Sequence, residues 1–456
     1  MKREDDARAQ SPPAAPICRA SDFRYDTGAT KVPWAAVGEN INAQDLLRLI
    51  RFFVGPRAAD DATYAERLEK VRAALDELFA AGQPVGKLTL GDRVKELEAR
   101  AARYLGVNYA CFLTNATAGF EIAYKFAGLR AGDDVICPAI TFIATIAYPL
   151  AIGAKVVFAD VDPRTINLDP ADVARKVTDR TRVIIPVHIG GYPVDMDPVI
   201  DLARRRGITV IEDAAHAFGA TYRGRKVGTL GNFAAFSFHE VKNTTSLGEG
   251  GLLTTDLDVG ARFPQARFLG IDPSRQIPDW LYDVVGLRDL RGGFFAAGNH
   301  SATEVQAVAL LSQLERLETI IAARRQVAEY LNQRFSAVEG IVCPPLDTNE
   351  IQSTHHLYLL QIDPARAGGD IQMLKQKLTA RGVTQIPHFA PLYEFELLRQ
   401  MGCGAEAGRR SCPNAEEAFR HRFTHLPLYG LTADQVAYLA DAVIDSVREM
   451  RETGAA

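Results

Sequence analysis

The sequence predicts an α/β protein: a large domain with a mainly parallel sheet between helices, followed by a smaller C-terminal α/β domain. Three observations lead there. From about residue 92 to 238, short apolar runs of strand length alternate with longer amphipathic segments, the pattern of a parallel sheet covered on both faces. Beyond about residue 330 that alternation gives way to one apolar run, THHLYLLQI, and two amphipathic segments. The chain of 456 residues is 47% apolar and 24% charged, an ordinary globular composition with length for roughly two or three domains of ~150 residues.

Taken in order, residues 1–35 are polar and rich in alanine and proline, and are expected to be a disordered tail. Residues 36–83 carry apolar residues at three- and four-residue spacing and read as a helical extension. Residues 84–330 form the expected large domain. Its helices are DRVKELEARAARYLG, ATAGFEIAYKFAG, TFIATIAYPLAIG, DPADVARKV and DMDPVIDLARRRG; its strands are YACFLT, DDVICP, KVVFADV, RVIIPVH, ITVIED and the run ending in FSF. Residues 331–456 form the expected small domain. There Leu397 to Ala415 reads as a surface loop, and LTADQVAYLADAVIDSVREM is a closing helix with Thr432 as its N-cap.

The formal net charge of −4 argues against a nucleic-acid partner, which needs a basic face. Six cysteines without a C-x-x-C pair fit a reducing compartment better than a disulfide framework or a zinc site. The first residues lack the apolar core of a secretory signal, and the most apolar long run, FIATIAYPLAIGAKVVFADV, is broken by Pro149, Gly153 and Lys155 and reads as helix, turn and strand, not a membrane span. The expectation is a soluble cytoplasmic protein with no metal.

In a parallel sheet, ligands sit beyond the carboxyl ends of the strands. After YACFLT comes TNATAGF, whose small residues open a helix and leave backbone N–H groups for an anion, beside the hydroxyls of Thr114 and Thr117; a plain N-cap explains the same residues. Phe142, at a strand-to-helix turn, either stacks on a flat ligand or packs in the core. Strand ITVIED ends on Glu212 and Asp213. Strand alternation points the two to opposite sides, and Asp213 is the better candidate to face a cation. His216 follows, open to a site role or to a satisfied core position. Ser237 lies in the strand before Lys242, and GEGG after it suits a close approach of backbone to ligand, although a lysine after a strand is commonly a snorkelling surface residue. Together these are an anion cup, a flat aromatic, a carboxylate, a hydroxyl and a lysine, the parts needed to hold pyridoxal 5'-phosphate.

These motifs, in this order, resemble the DegT/DnrJ/StrS family of sugar aminotransferases, fold-type I pyridoxal phosphate enzymes. The resemblance spans roughly residues 84–445 and is carried by GKLTLGDRVKELEARAARYLG, TNATAG, PAITFIAT, IEDAAHAFGA, SFHEVKN with GEGG, HHLYLLQI, PHFAPLY and HLPLYGLT. It implies a seven-stranded sheet and a set of roles. Lys242 would hold the cofactor's aldehyde covalently, and Asp213 would pair with its ring nitrogen. His216 would stand near the ring oxygen, and Phe142 would stack on the ring. Ala116, Thr117 and Ser237 would bind the phosphate. Asn299, in AGNHSATEVQA, would reach the phosphate of a neighbouring subunit, which implies a homodimer with shared sites. The family pattern continues Tyr-Arg-Met after that asparagine, whereas His300, Ser301 and Ala302 follow here, and Asp92 stands where proline is common.

The resemblance further implies transfer of an amino group, with L-glutamate as donor, to a keto sugar attached to a nucleotide, aminated at C4 or C3. HEVKN is similar to the HETKN of 4-keto-6-deoxyhexose transaminases. Lys87, Thr89 and His388 are the substrate-contact candidates, each equally readable as a surface or loop residue. Rival readings are amination of a keto-cyclitol or sugar phosphate and a non-catalytic regulator on the same fold. A dinucleotide-binding oxidoreductase lacks its G-x-G-x-x-G turn. A sugar dehydratase would have histidine in place of Lys242.

Overall fold

The computed structural model describes residues 40–82, 87–278, 282–386 and 389–454. Of the sequence expectations, the disordered tail, with the first of the six cysteines, Cys18, and His388 lie outside these residues. The chain divides into two compact units, one containing the described residues up to Lys87 with Gly270–Val285, the other Leu88–Leu269 with Gly286 to the C-terminus. The expected division near residue 330 falls inside the second unit.

The first unit contains helix α1 (Ala43–Phe53) and helix α2 (Ala62–Ala81). Asn42 and Asp45 form a reciprocal capping box at the start of α1, and Asp61 caps α2 by accepting the Tyr64 amide at 2.9 Å. Ala43 and Leu47 of α1 are buried, whereas no residue of α2 is.

The second unit begins with helix α3 (Asp92–Leu105). Its N-cap, Gly91, has no side chain to offer, and the carboxylate of Glu304 takes over, accepting the amides of Gly91 and Arg93 at 2.8 and 2.9 Å. Asp92, where the family pattern has proline, is a solvated acid at the first helical position, which suits the helix dipole.

Seven strands form the main sheet: β1 (Tyr109–Leu113), β2 (Asp134–Pro138), β3 (Lys155–Ala159), β4 (Thr181–Ile184), β5 (Thr209–Asp213), β6 (Phe233–Ser237) and β7 (Gly251–Thr255). Their spatial order is β1-β7-β6-β5-β4-β2-β3. Every pairing from β6 to β3 is parallel, and β7 runs antiparallel to both β1 and β6. Only β7 is inverted, so the carboxyl ends of the other six lie along one edge, joined there by the first residue of β7, Gly251.

Helix α4 (Ala116–Phe126) follows β1 directly. Phe112, Ile136, Ile184, Val210, Ala234, Phe236 and Leu252 from the sheet share one buried core with Val94, Leu97 and Ala101 of α3. A second core lies under a three-stranded antiparallel sheet of Ile341–Val342, Tyr358–Ile362 and Phe423–Leu426. The helices Leu317–Phe335, Ile371–Ala380 and Ala433–Gly454 supply its other side chains. Thr432 caps the last helix, its hydroxyl accepting the Gln435 amide at 3.2 Å while the Gln435 side chain returns to the Thr432 amide.

Three readings need correction. The stretch expected as one helix from Thr141 is a 3₁₀ turn, Ile143–Ile146, followed by a short helix, Ala147–Ala151, because the Thr141 and Thr145 hydroxyls bond each other at 2.9 Å and fix a tight turn. Leu397 to Ala415 is no surface loop: it contains helices Glu396–Gln400, Ala405–Ser411 and the start of Pro413–Glu417, and it buries Leu398, Cys412 and Ala415. In THHLYLLQI the strand starts only at Tyr358, since His355 adopts a positive φ and the chain turns there. Among the described residues no helix is long and apolar enough to cross a membrane.

Candidate active site

Glu212 and Asp213 close β5, and alternation sends them to opposite faces. Glu212 is fully buried and fully engaged: it accepts the amides of Gly228, Leu230 and Gly231 at 2.7 to 2.9 Å and a bond from His188 Nε2 at 3.2 Å. Asp213 is 4% exposed on the other face. The Thr145 hydroxyl donates to its Oδ2 at 2.7 Å, and the Ala215 amide to its Oδ1 at 3.2 Å. Burial pushes the Asp213 carboxyl above its ordinary value, opposed by those two bonds and by the charge of Lys242.

Lys242 sits on the turn between β6 and β7. The turn is closed by the Phe238 amide on the Gly250 carbonyl and the Glu240 amide on the Gly248 carbonyl, both at 2.8 Å. A Cβ on Gly250 would stand 1.9 Å from the Ser246 hydroxyl, so the glycine is needed for closure. Burial lowers the Lys242 ammonium to about 8, while Asp213 and Glu249 oppose that shift. Lys242, on the turn after β6, and Asp213, at the end of the adjacent β5, each favour the charged form of the other.

The N-terminus of α4 lies at the same sheet edge, against Gly251. Asn115 caps it, accepting the Ala118 amide at 2.9 Å, and the amides of Ala116 and Thr117 have no partner inside a helix. Gly251 packs on this end so tightly that a Cβ would meet the Asn115 carbonyl carbon at 2.2 Å and the Ala116 nitrogen at 2.6 Å. Gly251 also pairs with Leu113 on one side and Ser237 on the other. One row across three strands therefore brings Ser237, half-buried, to the mouth of α4, where Thr117 is exposed.

The segment after Asn299 completes the rim. Leu113 bridges Ser301, and the Thr114 amide donates to the His300 carbonyl at 3.1 Å. Ala302 is fully buried in the main core and His300 stands 3.7 Å from Glu121, so the residues replacing Tyr-Arg-Met are built into this chain's own edge. Asn299 is exposed. Thr89 bridges Thr303 two residues further on and is also exposed, which brings it near the same rim. Lys87 belongs to the first unit.

Phe142 is 62% exposed, which removes its reading as a core residue and leaves its ring face available. His216 accepts the Gly190 amide on Nδ1 at 3.2 Å, so its neutral form carries the proton on Nε2. Sequence reasoning missed four residues here. Thr145 orients Asp213, Asn243 and His356 bond each other at 3.0 Å, and Arg324 is a buried guanidinium. Only the doubled histidine at 355 and 356, ahead of an apolar run, was a visible signal.

The profile of the DegT/DnrJ/EryC1/StrS aminotransferase family matches residues 69–444. The chain belongs to this family. It is 36% identical over 306 residues to the GDP-perosamine synthase of Caulobacter vibrioides, a match covering 67% of this chain and 78% of that protein. Among solved structures, the aminotransferase TlmJ of Streptoalloteichus hindustanus superposes with a TM-score of 0.70 at 30% identity, covering 83% of this chain and 96% of the other. Spr1654 of Streptococcus pneumoniae, solved in a PLP form, superposes with a TM-score of 0.71 at 26% identity, covering 80% and 94%. This member of the DegT/DnrJ/EryC1/StrS family is a pyridoxal-phosphate-dependent sugar aminotransferase of fold type I.

The residues present fit that cofactor. The glycine-packed helix end with Ser237 offers free amides and a hydroxyl suited to a phosphate, Phe142 offers an exposed aromatic face, and a buried carboxylate raised by desolvation suits a cationic partner such as a protonated ring nitrogen.

Proposed function

We propose that the protein transfers an amino group from L-glutamate to the keto group of a nucleotide-linked deoxy-keto-sugar, at C4 or C3. The observation that carries this reading is the gathering at one sheet edge of the buried Asp213 held by Thr145, the turn that bears Lys242, and the helix end packed by Gly251 beside Ser237. The likeness to a synthase named for a GDP-linked sugar supports the acceptor class.

Lys242 Nζ would hold the cofactor, and as a free amine it would be the base that removes a proton from the donor's α-carbon and returns one. A lysine lowered to about 8 has a far larger neutral fraction near neutrality than an ordinary lysine, and the neutral form is the one that task requires. When bound, the cofactor supplies an aldehyde that holds the amine and a ring that accepts electrons. Asp213 would keep a proton on the ring nitrogen, with Thr145 and the Ala215 amide holding its carboxylate still. His216, with its proton on Nε2, would serve the ring oxygen, Phe142 would stack on the ring, and Ala116, Thr117 and Ser237 would hold the phosphate. Asn299, exposed on its own subunit, serves the phosphate of the partner in a homodimer. Thr89, near the rim, is the remaining described candidate for sugar contact in this unit.

The test is to load the protein with pyridoxal phosphate, add L-glutamate, then supply nucleotide-linked keto-deoxyhexoses. The visible band is expected to disappear with glutamate and return with the keto sugar, with the amino sugar detected by mass spectrometry. Restoration only by a keto-cyclitol or sugar phosphate would replace the acceptor. A response to another amino acid but not to glutamate would replace the donor.

A further inference from the structure

The segment 354–356 threads between three loops at the carboxyl edge of the main sheet, and one side chain in it touches two of them. His356 is 7% exposed. Its ring lies 4.3 Å from that of His216, centroid to centroid, tilted by 33°. Its Nδ1 is 3.0 Å from Asn243 Oδ1, and Asn243 is the residue after Lys242.

The hydrogen-bond pattern fixes which atom carries which proton. Asn243 Nδ2 donates to the Thr354 carbonyl at 2.8 Å, so its Oδ1 is the atom turned to His356 and Nδ1 of His356 must donate. The backbone is equally committed. The His356 amide donates to the Gly190 carbonyl at 2.8 Å, and the Gly190 amide is the donor to His216 Nδ1. The Thr354 hydroxyl donates to the His216 carbonyl at 2.5 Å. Gly191, with φ at +90°, leaves room for that hydroxyl, which would stand 2.0 Å from any Cβ there.

We propose that His356 is a positioning residue for the reaction: through Asn243 it fixes the turn that carries Lys242, and through its ring it fixes the orientation of His216. This rests on the reading of Lys242 as the lysine that holds the cofactor. The groups around it keep its ring uncharged. Burial holds its pKa well below the ordinary histidine value, and the positive charges of Lys242, Arg324 and His425 act in the same direction. A neutral ring between His216 and the lysine turn adds no repulsion to the Lys242 ammonium, so one residue serves geometry and electrostatics together.

Three variants of the full chain separate the contacts. His356→Phe keeps a ring against His216 and removes the donor to Asn243. His356→Asn keeps a donor near the Nδ1 position and removes the ring. Asn243→Ala removes the acceptor at a half-buried turn position and carries the test if His356→Phe does not fold. Each is loaded with pyridoxal phosphate, and the visible band is titrated with pH.

The expected result is a shift of the titration midpoint by about one pH unit in His356→Phe and Asn243→Ala, the size of one lost hydrogen bond. With L-glutamate, bleaching of the band at saturation is expected to slow about tenfold while the half-saturating concentration moves much less. His356→Asn should recover the midpoint but not the rate. A merely structural role would lower the thermal midpoint of the cofactor-free chain and leave band titration and rate unchanged. Variants that fold, bind the cofactor and keep the wild-type midpoint and rate overturn the proposal alone. A wild-type chain that forms no visible band overturns the assignment of Lys242, and this proposal with it.

Discussion

Glu212 and Asp213 are adjacent carboxylates at the end of one strand, and their surroundings separate them. Three amides and a histidine engage Glu212, so it serves the fold. Asp213 keeps a raised pKa and only two local donors, so it remains able to hold a cation. Asp213→Asn is expected to lower the rate of the glutamate half-reaction about a hundredfold to a thousandfold, with far-UV circular dichroism unchanged, because an amide cannot stabilise a protonated ring nitrogen. Lys242 gives a second prediction, with its sign set by burial. Its ammonium is lowered to about 8, and only the neutral amine attacks an aldehyde. The rate at which cofactor-free protein gains the visible band should rise through that pH and level off above it, whereas an ordinary lysine would keep rising to about 10.4. Stopped-flow absorbance across that range decides between them. Strand alternation alone distinguished the two carboxylates in the sequence. The lowered lysine was not legible there, because it depends on what the fold packs around Nζ.

The junction of β7 with α4 is where element geometry makes the anion cradle. An inverted strand starting on glycine lets the backbone of Gly251 lie against Asn115 and Ala116 while pairing with Ser237. Gly251→Ala should force this contact apart, costing about 1–3 kcal/mol in urea unfolding and weakening cofactor binding more than tenfold by fluorescence titration. Gly-rich GEGG signalled a close approach, and TNATAG signalled a helix start. The strand GLLTT itself went unread, since five residues after a turn carry no period that separates strand from loop. Leu397–Ala415 failed for a similar reason: its glycines and arginines read as loop, whereas burial of Leu398, Cys412 and Ala415 holds short helices that propensity alone would not.

For the whole molecule, the proposed sharing of sites between two subunits has a direct consequence. A Lys242→Ala chain and an Asn299→Ala chain, each weak or inactive alone, should regain activity when unfolded together and refolded, because a mixed dimer rebuilds one site with both residues intact. Sedimentation of the native protein as a dimer would accompany this; a monomer, or mixing without recovery, would remove Asn299 from the partner's site. The sequence by itself determined the alternation that makes a parallel sheet, the strand ends where ligand chemistry sits, and the order of motifs that marks the family, since these are set by local pattern and spacing. Only the tertiary structure decided that β7 is inverted, that Glu304 caps α3, that Phe142 is exposed and that His356 reaches Asn243 and His216. Each of these depends on residues distant in sequence, and such arrangements are fixed by packing and hydrogen-bond satisfaction across the whole core, not by any stretch of chain.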